Sequence, residues 1–222
     1  SLETDMTSRR ILVVCATTMA FSSIASAATC KSQIYKLDKA KGSSVVPAYA
    51  ALMKCDDELA SDVVLTGLHG TYGITRGQTF TAAEKRRAWR AMKAAGVHEL
   101  MWRDYGDLSS GERRRFLLAR SLVHEPEMLI FDEPTTSLDL PGAWDLIEVV
   151  RALMRNGTGV MLVTHDVREI PPEIDRVVLM KKGRILADGR KRRILTPEQL
   201  SACYGVEVRV SWKDGFCAVR PA

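Results

Sequence analysis

An apolar run, Met128-Leu129-Ile130-Phe131, stops abruptly at two carboxylates and a proline, Asp132-Glu133-Pro134. A run this short, with no polar alternation, is that of a strand covered on both faces, as in a parallel sheet. Parallel strands need crossover connections, and helical patterns flank the run on both sides. Residues 111–124 read as a helix closed by Pro126. Residues 141–156 read as another, with Leu146, Val149, Val150 and Leu153 on its apolar side and Gly157 as its stop. Residues 160–163 form a second apolar strand, and 174–180, the turn Lys181-Lys182-Gly183 and 184–187 read as strand–turn–strand. Thr81 with Glu84 three positions on forms a capping box for a basic amphipathic helix over 81–95, ended by Gly96. A last helix over 196–204 is capped by Thr196, with Pro197 and Glu198 in its first turn. Residues 206–211 and 216–219, joined around Lys213-Asp214-Gly215, read as a terminal hairpin. The fold class is α/β with a largely parallel sheet.

The length of 222 residues suits one domain, or one domain with a short appendage. With 46% hydrophobic residues and a mean hydropathy of −0.08, the composition is that of a globular protein. No apolar stretch reaches the roughly eighteen residues a bilayer-crossing helix needs. The net charge of +5 and isoelectric point near 9.0 raise nucleic acid as a partner. Yet the basic residues are scattered through helical and turn-like segments, with clusters at Arg113-Arg114-Arg115 and Arg190-Lys191-Arg192-Arg193, so a solvated face is expected and no nucleic acid. Cysteines at 15, 30, 55, 203 and 217 are odd in number and include no C-x-x-C pair, which argues against a zinc site. Cys30 and Cys55 are candidates to pair in an oxidising compartment, whereas Cys203 and Cys217 are expected as buried thiols.

Residues 1–60 differ in character from 61–222. After the leader Ser1–Asp5, which is set aside, Arg9-Arg10 precede an apolar run over 11–24 and then Ala25-Ser26-Ala27. Positive segment, apolar segment and A-x-A site over 6–27 have the layout of a secretory signal peptide. The competing reading makes Ile11-Leu12-Val13-Val14 a buried strand opening a domain. A turn at Gly42-Ser43-Ser44 and a helical pattern over 47–59 follow, and a boundary is expected near residue 60, with a helical subdomain over about 80–125.

Chemistry concentrates between residues 108 and 166. Leu108-Ser109-Ser110-Gly111-Glu112 opens a helix with hydroxyls and unpaired backbone N–H groups on a dipole that favours anions. Asp132 ends a strand at the carboxyl edge of the sheet, where ligands bind in α/β folds, and one carboxylate there suits Mg²⁺. Glu133 beside it is placed to polarise a water. Ser137-Leu138-Asp139 follows, and the strand over 160–163 ends in Thr164-His165-Asp166, a histidine positioned to meet a phosphate.

These four elements in this order resemble the ATP-binding-cassette (ABC) transporter ATPases over residues 62 to about 190. Leu108–Glu112 match the family signature, the run through Glu133 matches Walker B, Ser137–Asp139 match the D-loop and His165 matches the switch histidine. The resemblance implies a P-loop NTPase-like sheet with a helical subdomain, a head-to-tail homodimer or heterodimer on a membrane permease, and ATP with Mg²⁺ as ligands. It implies that Ser109, Ser110, Gly111, Glu112 and Asp139 contact nucleotide, that Asp132 organises Mg²⁺, that Glu133 is the general base and that His165 senses the terminal phosphate. Its location would be the cytoplasmic side of the inner membrane, or outside it if 6–27 acts as a signal. Asp62-Val63-Val64-Leu65-Thr66-Gly67 looks most like cassettes that import metals or oxyanions.

The family's phosphate loop is missing from these residues: no G-x-x-x-x-G-K-[ST] string occurs, and Lys41-Gly42-Ser43-Ser44 lacks the spacing. The adenine-stacking aromatic and the glutamine loop are likewise not identifiable. Loss of that loop's strand would vacate the centre of the sheet, and 11–14 is β-branched enough to fill it. Three functions stay open: a transport ATPase needing a partner's phosphate loop, a non-catalytic remnant that keeps dimer or permease contacts, and an unrelated hydrolase. Against the last, no G-x-S-x-G, S-x-x-K or H-E-x-x-H string occurs.

Overall fold

The computed structural model describes residues 10–15, 59–71, 73–74 and 78–222, the first of these as backbone only. The apolar segment beyond residue 15, the A-x-A site, Cys30, Cys55 and nearly all of the 47–59 pattern lie outside the described residues. The chain divides into two units, one of residues 127–136 and 143–222 with the N-terminal strand, the other of residues up to 126 together with 137–142.

The first unit is built on a five-stranded sheet. β1 is Arg10–Cys15, β2 Met128–Asp132, β3 Gly159–Thr164, β4 Arg176–Lys181 and β5 Arg184–Arg190. The order across the sheet is β2-β3-β1-β4-β5. β1 runs parallel to both neighbours, with Leu12 level with Leu162 on one side and Val177 on the other. The segment 11–14 therefore occupies the centre of the sheet, as its β-branched composition allows. Only β5 is antiparallel, folded back on β4 through the Lys182-Gly183 turn. It is longer than the sequence pattern indicates, running on through Asp188 and Gly189, whose polar character hides a strand.

One face of this sheet is closed by α4, Leu140–Arg155, and α6, Pro197–Tyr204. Val150 and Met154 of α4 and Leu200 and Cys203 of α6 join Val160, Leu162, Val177 and Leu179 in a single buried cluster. Burying side chains of this kind contributes about 1.5–3 kcal/mol each. A two-stranded hairpin, β6 Val208–Lys213 and β7 Phe216–Pro221, extends the cluster through Val208 and Cys217. Both expected buried thiols, Cys203 and Cys217, are buried, and Cys203 Sγ donates to Met180 O at 3.7 Å.

In the basic run 190–193, Arg190, Arg192 and Arg193 are exposed as expected of a solvated face, and Lys191 departs from it. Residues Lys191–Ile194 form a short helix, α5, and Lys191 turns inward. Only 8% exposed, it donates to Pro171 O at 2.8 Å, Pro172 O at 3.3 Å and Gly215 O at 3.2 Å. Those carbonyls cannot be read from local sequence, because Gly215 comes from the distant hairpin turn. Arg192 lies over the Trp212 ring at 4.1 Å, a cation–π contact that also uses the hairpin.

The second unit is helical: α1 Ala60–Gly67, α2 Ala82–Ala94 and α3 Ser110–Leu122. The α2 capping box forms as the sequence predicts, with Glu84 N–H donating to Thr81 Oγ1 at 3.2 Å and Thr81 N–H to Glu84 Oε2 at 2.8 Å. α1 has no side-chain cap and no sequence signal for its start; buried Val63, Val64 and Leu65 hold it against its neighbours. Its last residue, Gly67, must be small, because a Cβ there would sit 2.7 Å from both Arg120 Cγ and the Arg120 carbonyl. Among the described residues no helix is long and apolar enough to cross a membrane.

Candidate functional site

The carboxyl edge of the sheet carries the first group of candidate residues. Asp132 ends β2, level with Val163 of β3, and its side chain is exposed. Glu133 extends the pairing by one residue, its N–H donating to Val163 O at 2.8 Å. It then leaves the sheet with φ of 45°, left-handed backbone immediately before Pro134. A non-glycine residue resists that conformation, and a following proline disfavours it further. The turn delivers the carboxylate to His165, which follows β3: Glu133 Oε1 and His165 Nδ1 lie 3.1 Å apart. A carboxylate only accepts, so an ionised Glu133 places the imidazole proton on Nδ1 and leaves Nε2 for another partner. Thr136 Oγ1 donates to the other oxygen, Glu133 Oε2, at 3.2 Å. The Glu133–His165 pair is half open to solvent, at 38% and 52% side-chain exposure.

The surroundings of His165 fix its backbone. Tyr204 of α6 donates its hydroxyl to His165 O at 3.3 Å. Burial pushes that phenol up to about 12, with the charges of Cys203, Asp166 and Cys217 acting the same way. Asp166 accepts from the Arg168 guanidinium and from its N–H. Burial raises the Asp166 carboxyl, but these bonds and the nearby Arg168 charge outweigh it and hold the group below the usual carboxylate range.

The second group opens α3. Ser109 is the N-cap, its Oγ accepting from Glu112 N–H at 3.2 Å while Glu112 Oε2 accepts from Ser109 N–H at 2.7 Å. Both side chains are thus committed to a capping box. Burial acts upward on the Glu112 carboxyl, yet the Ser109 N–H and hydroxyl, with Arg103 and Arg115 nearby, hold it below its ordinary value. Ser110 is exposed and Gly111 buried. Their N–H groups, in the first helical turn, have no intrahelical acceptor and face where an anion is favoured.

Asp139 has a local duty as well. Its Oδ1 accepts from Gly142 N–H at 3.1 Å, capping the start of α4. A Cβ on Gly142 would meet that oxygen at 2.7 Å, and one on Gly111 would lie 3.4 Å from Gly142 Cα. Gly111 in the first turn of α3 and Gly142 in the first turn of α4 therefore approach backbone to backbone.

Three residues in this region carry no sequence motif: Glu169, Thr135 and Thr164. Glu169 accepts from Thr135 Oγ1 and, at 2.9 Å, from Thr164 Oγ1.

A parallel sheet with β1 at its centre, carboxylates and a histidine at its carboxyl edge, and an appended helical unit define the P-loop NTPase-like class of α/β fold. The ABC transporter family model matches residues 45–136. The chain belongs to the ATP-binding-cassette ATPase family. It is 32% identical over 157 residues to the ABC transporter ATP-binding protein YlmA of Bacillus subtilis, covering 70% of this chain and 59% of that protein. It is 34% identical over 179 residues to the hemin import ATP-binding protein HmuV of Deinococcus radiodurans, covering 78% and 66%. In fold it is similar to CbiO1 from Clostridium perfringens, part of the ABC transporter complex CbiONQ, with a TM-score of 0.56, 19% identity and coverage of 88% and 82%. It is also similar to an ABC transporter's ATP-binding cassette in its ADP conformation, with a TM-score of 0.60, 19% identity and coverage of 71% and 65%. The chain spans 59% of the length of the Bacillus subtilis relative.

Proposed function

We propose that this chain contributes half of a nucleotide site to a transport ATPase and acts with a partner that supplies the phosphate loop. The observation that carries the reading is the Glu133 Oε1–His165 Nδ1 contact of 3.1 Å at the ends of adjacent parallel strands, beside Asp132. In this reading Glu133 takes a proton from the attacking water, and His165, its Nδ1 held by Glu133, offers Nε2 to the terminal phosphate of ATP. Ser110 and Gly111 present their N–H groups to a phosphate across the dimer, with Ser109, Glu112 and Asp139 holding the two helix ends that frame it.

Asp132 is the residue that would hold Mg²⁺. A single exposed carboxylate fits that ion, which keeps most of its waters and takes other ligands from phosphate. When bound, Mg²⁺ supplies charge neutralisation at the phosphates.

β1 lies in the sheet where its carboxyl end opens onto this edge, yet the residues that follow it, Ala16-Thr17-Thr18-Met19-Ala20, contain neither glycine nor lysine. That supports a chain that does not hydrolyse ATP alone. The names of the hemin-import relatives support an imported metal chelate as the transported solute, with a membrane permease as partner and the cytoplasmic face of the membrane as the location.

Nucleotide-dependent association tests this. Sedimentation of the chain with a cassette subunit that carries a G-x-x-x-x-G-K-[ST] loop is expected to show a complex that needs Mg-ATP and is lost in Ser110→Arg. Association indifferent to nucleotide would replace this reading with a non-catalytic remnant that keeps its contacts only.

A further inference from the structure

Glu169 belongs to none of the family-matching motifs. It ends the 3-10 turn Val167–Glu169, which brings the chain back under the end of β3. Its two oxygens accept from threonines on different elements: Oε1 from Thr135, on the loop leaving β2, and Oε2 from Thr164, the last residue of β3. Both threonines are buried, at 6% and 1% exposure. Thr164 Oγ1 additionally accepts from Asp166 N–H at 3.0 Å, fixing the backbone on the far side of His165. One carboxylate thereby joins the chain two residues after Glu133 to the residue immediately before His165.

The location matters because Glu133 cannot hold itself. Its φ of 45° before a proline is opposed by local preference, and such a conformation persists only when the surroundings over-determine it. The Glu133 N–H bond to Val163 fixes one side of the turn. Buried Thr135, two residues on, fixes the other, and it is anchored through Glu169.

We propose that Glu169 is a positioning residue that sets the separation of Glu133 and His165 through Thr135 and Thr164. This role rests on the reading of Glu133 and His165 as the reacting side chains; the clamp itself does not. Each hydroxyl donates to one oxygen of the carboxylate, whereas in Glu169→Gln the amide nitrogen cannot accept, so one threonine must reverse and accept from it, and the charge is lost. Glu169→Gln therefore weakens the clamp and Glu169→Ala removes it.

Amide hydrogen exchange by NMR on the full chain tests the clamp without nucleotide, so its outcome is independent of any ATP assay. In Glu169→Ala the Glu133 and Asp166 amides are expected to exchange roughly tenfold faster or more. Glu169→Gln falls between, and Leu162 and Val177 in the strand interiors change far less. Thr135→Ser is expected to match the parent and Thr135→Val to free Glu133, which keeps the test available if Glu169→Ala does not fold. Equal acceleration at all four amides marks ordinary destabilisation and overturns the proposal, as does no change at Glu133 and Asp166. If the clamp is present but Mg-ATP-dependent association fails, the ATP reading falls while the clamp stands.

Discussion

Glu133 Oε1 sits 3.1 Å from His165 Nδ1, although 32 positions separate the two in the chain. Two adjacent parallel strands in register, Asp132 level with Val163, bring their carboxyl ends together and the residues beyond them into contact. The geometry joins the group proposed to activate water to the group proposed to meet phosphate.

Removing the carboxylate's charge should therefore be visible only in a complete site. For the chain alone, Mg-ATP hydrolysis is expected to be the same in the parent and in Glu133→Gln, measured as phosphate release from protein of verified intact mass. Release by the parent exceeding that of Glu133→Gln by about tenfold or more would mean the lone chain is catalytic. Hydrolysis of esters or lactams without ATP would instead install an unrelated hydrolase.

The start of α4 depends on a cap that Asp139 supplies. Asp139→Ala leaves the Gly142 N–H without its acceptor and is expected to cost about 1 kcal/mol. That corresponds to a Tm lower by about 2–4 °C in a domain of this size. Gly142→Ala should do at least as much harm, since its Cβ would crowd the same Asp139 oxygen at 2.7 Å. Thermal unfolding followed by circular dichroism reads both, and an unchanged Tm in both would remove the cap from the account.

Gly67→Ala probes the helical unit. The added methyl meets a backbone carbonyl as well as a side chain of Arg120, so α1 or α3 must move. A loss of about 1–3 kcal/mol is expected from urea unfolding.

Lys191 gives a pH dependence. Burial, with some help from Arg192, pushes its ammonium from 10.5 down to about 8, against the pull of Glu173, Cys217 and Asp175. The folded chain thus releases this proton at lower pH than the unfolded chain. Between pH 8 and 10.5 the unfolded state holds more protons, so this group adds stability as pH rises through that window. With allowance for screening by water, the gain is on the order of 1 kcal/mol. The Tm of the parent minus that of Lys191→Met is expected to increase from pH 8 to pH 10; a decrease contradicts the assignment.

What the sequence disclosed, and what it hid, follows from how far each interaction reaches. The placement of Asp132, Glu133 and His165 at strand ends was legible because each sits where an apolar run meets polar residues, a purely local mark. The capping box at Thr81 spans three residues and was equally plain, while the box that Ser109 and Glu112 form was not read from the sequence. The place of 11–14 at the sheet centre followed from β-branched composition together with a vacancy in the family pattern. Glu169 left no trace, because its partners lie on two other elements, 34 and 5 positions away. Lys191 was misread for a related reason: its run of like charges signals solvent, while the carbonyls that receive it are assembled only by the tertiary fold.

The central proposal is that Asp132, Glu133 and His165 form part of a nucleotide site that needs a phosphate loop from a partner. Isothermal calorimetry of the purified chain with Mg-ATP tests it most directly. The account predicts no binding in the micromolar range. Micromolar, Mg²⁺-dependent binding by the lone chain would contradict it.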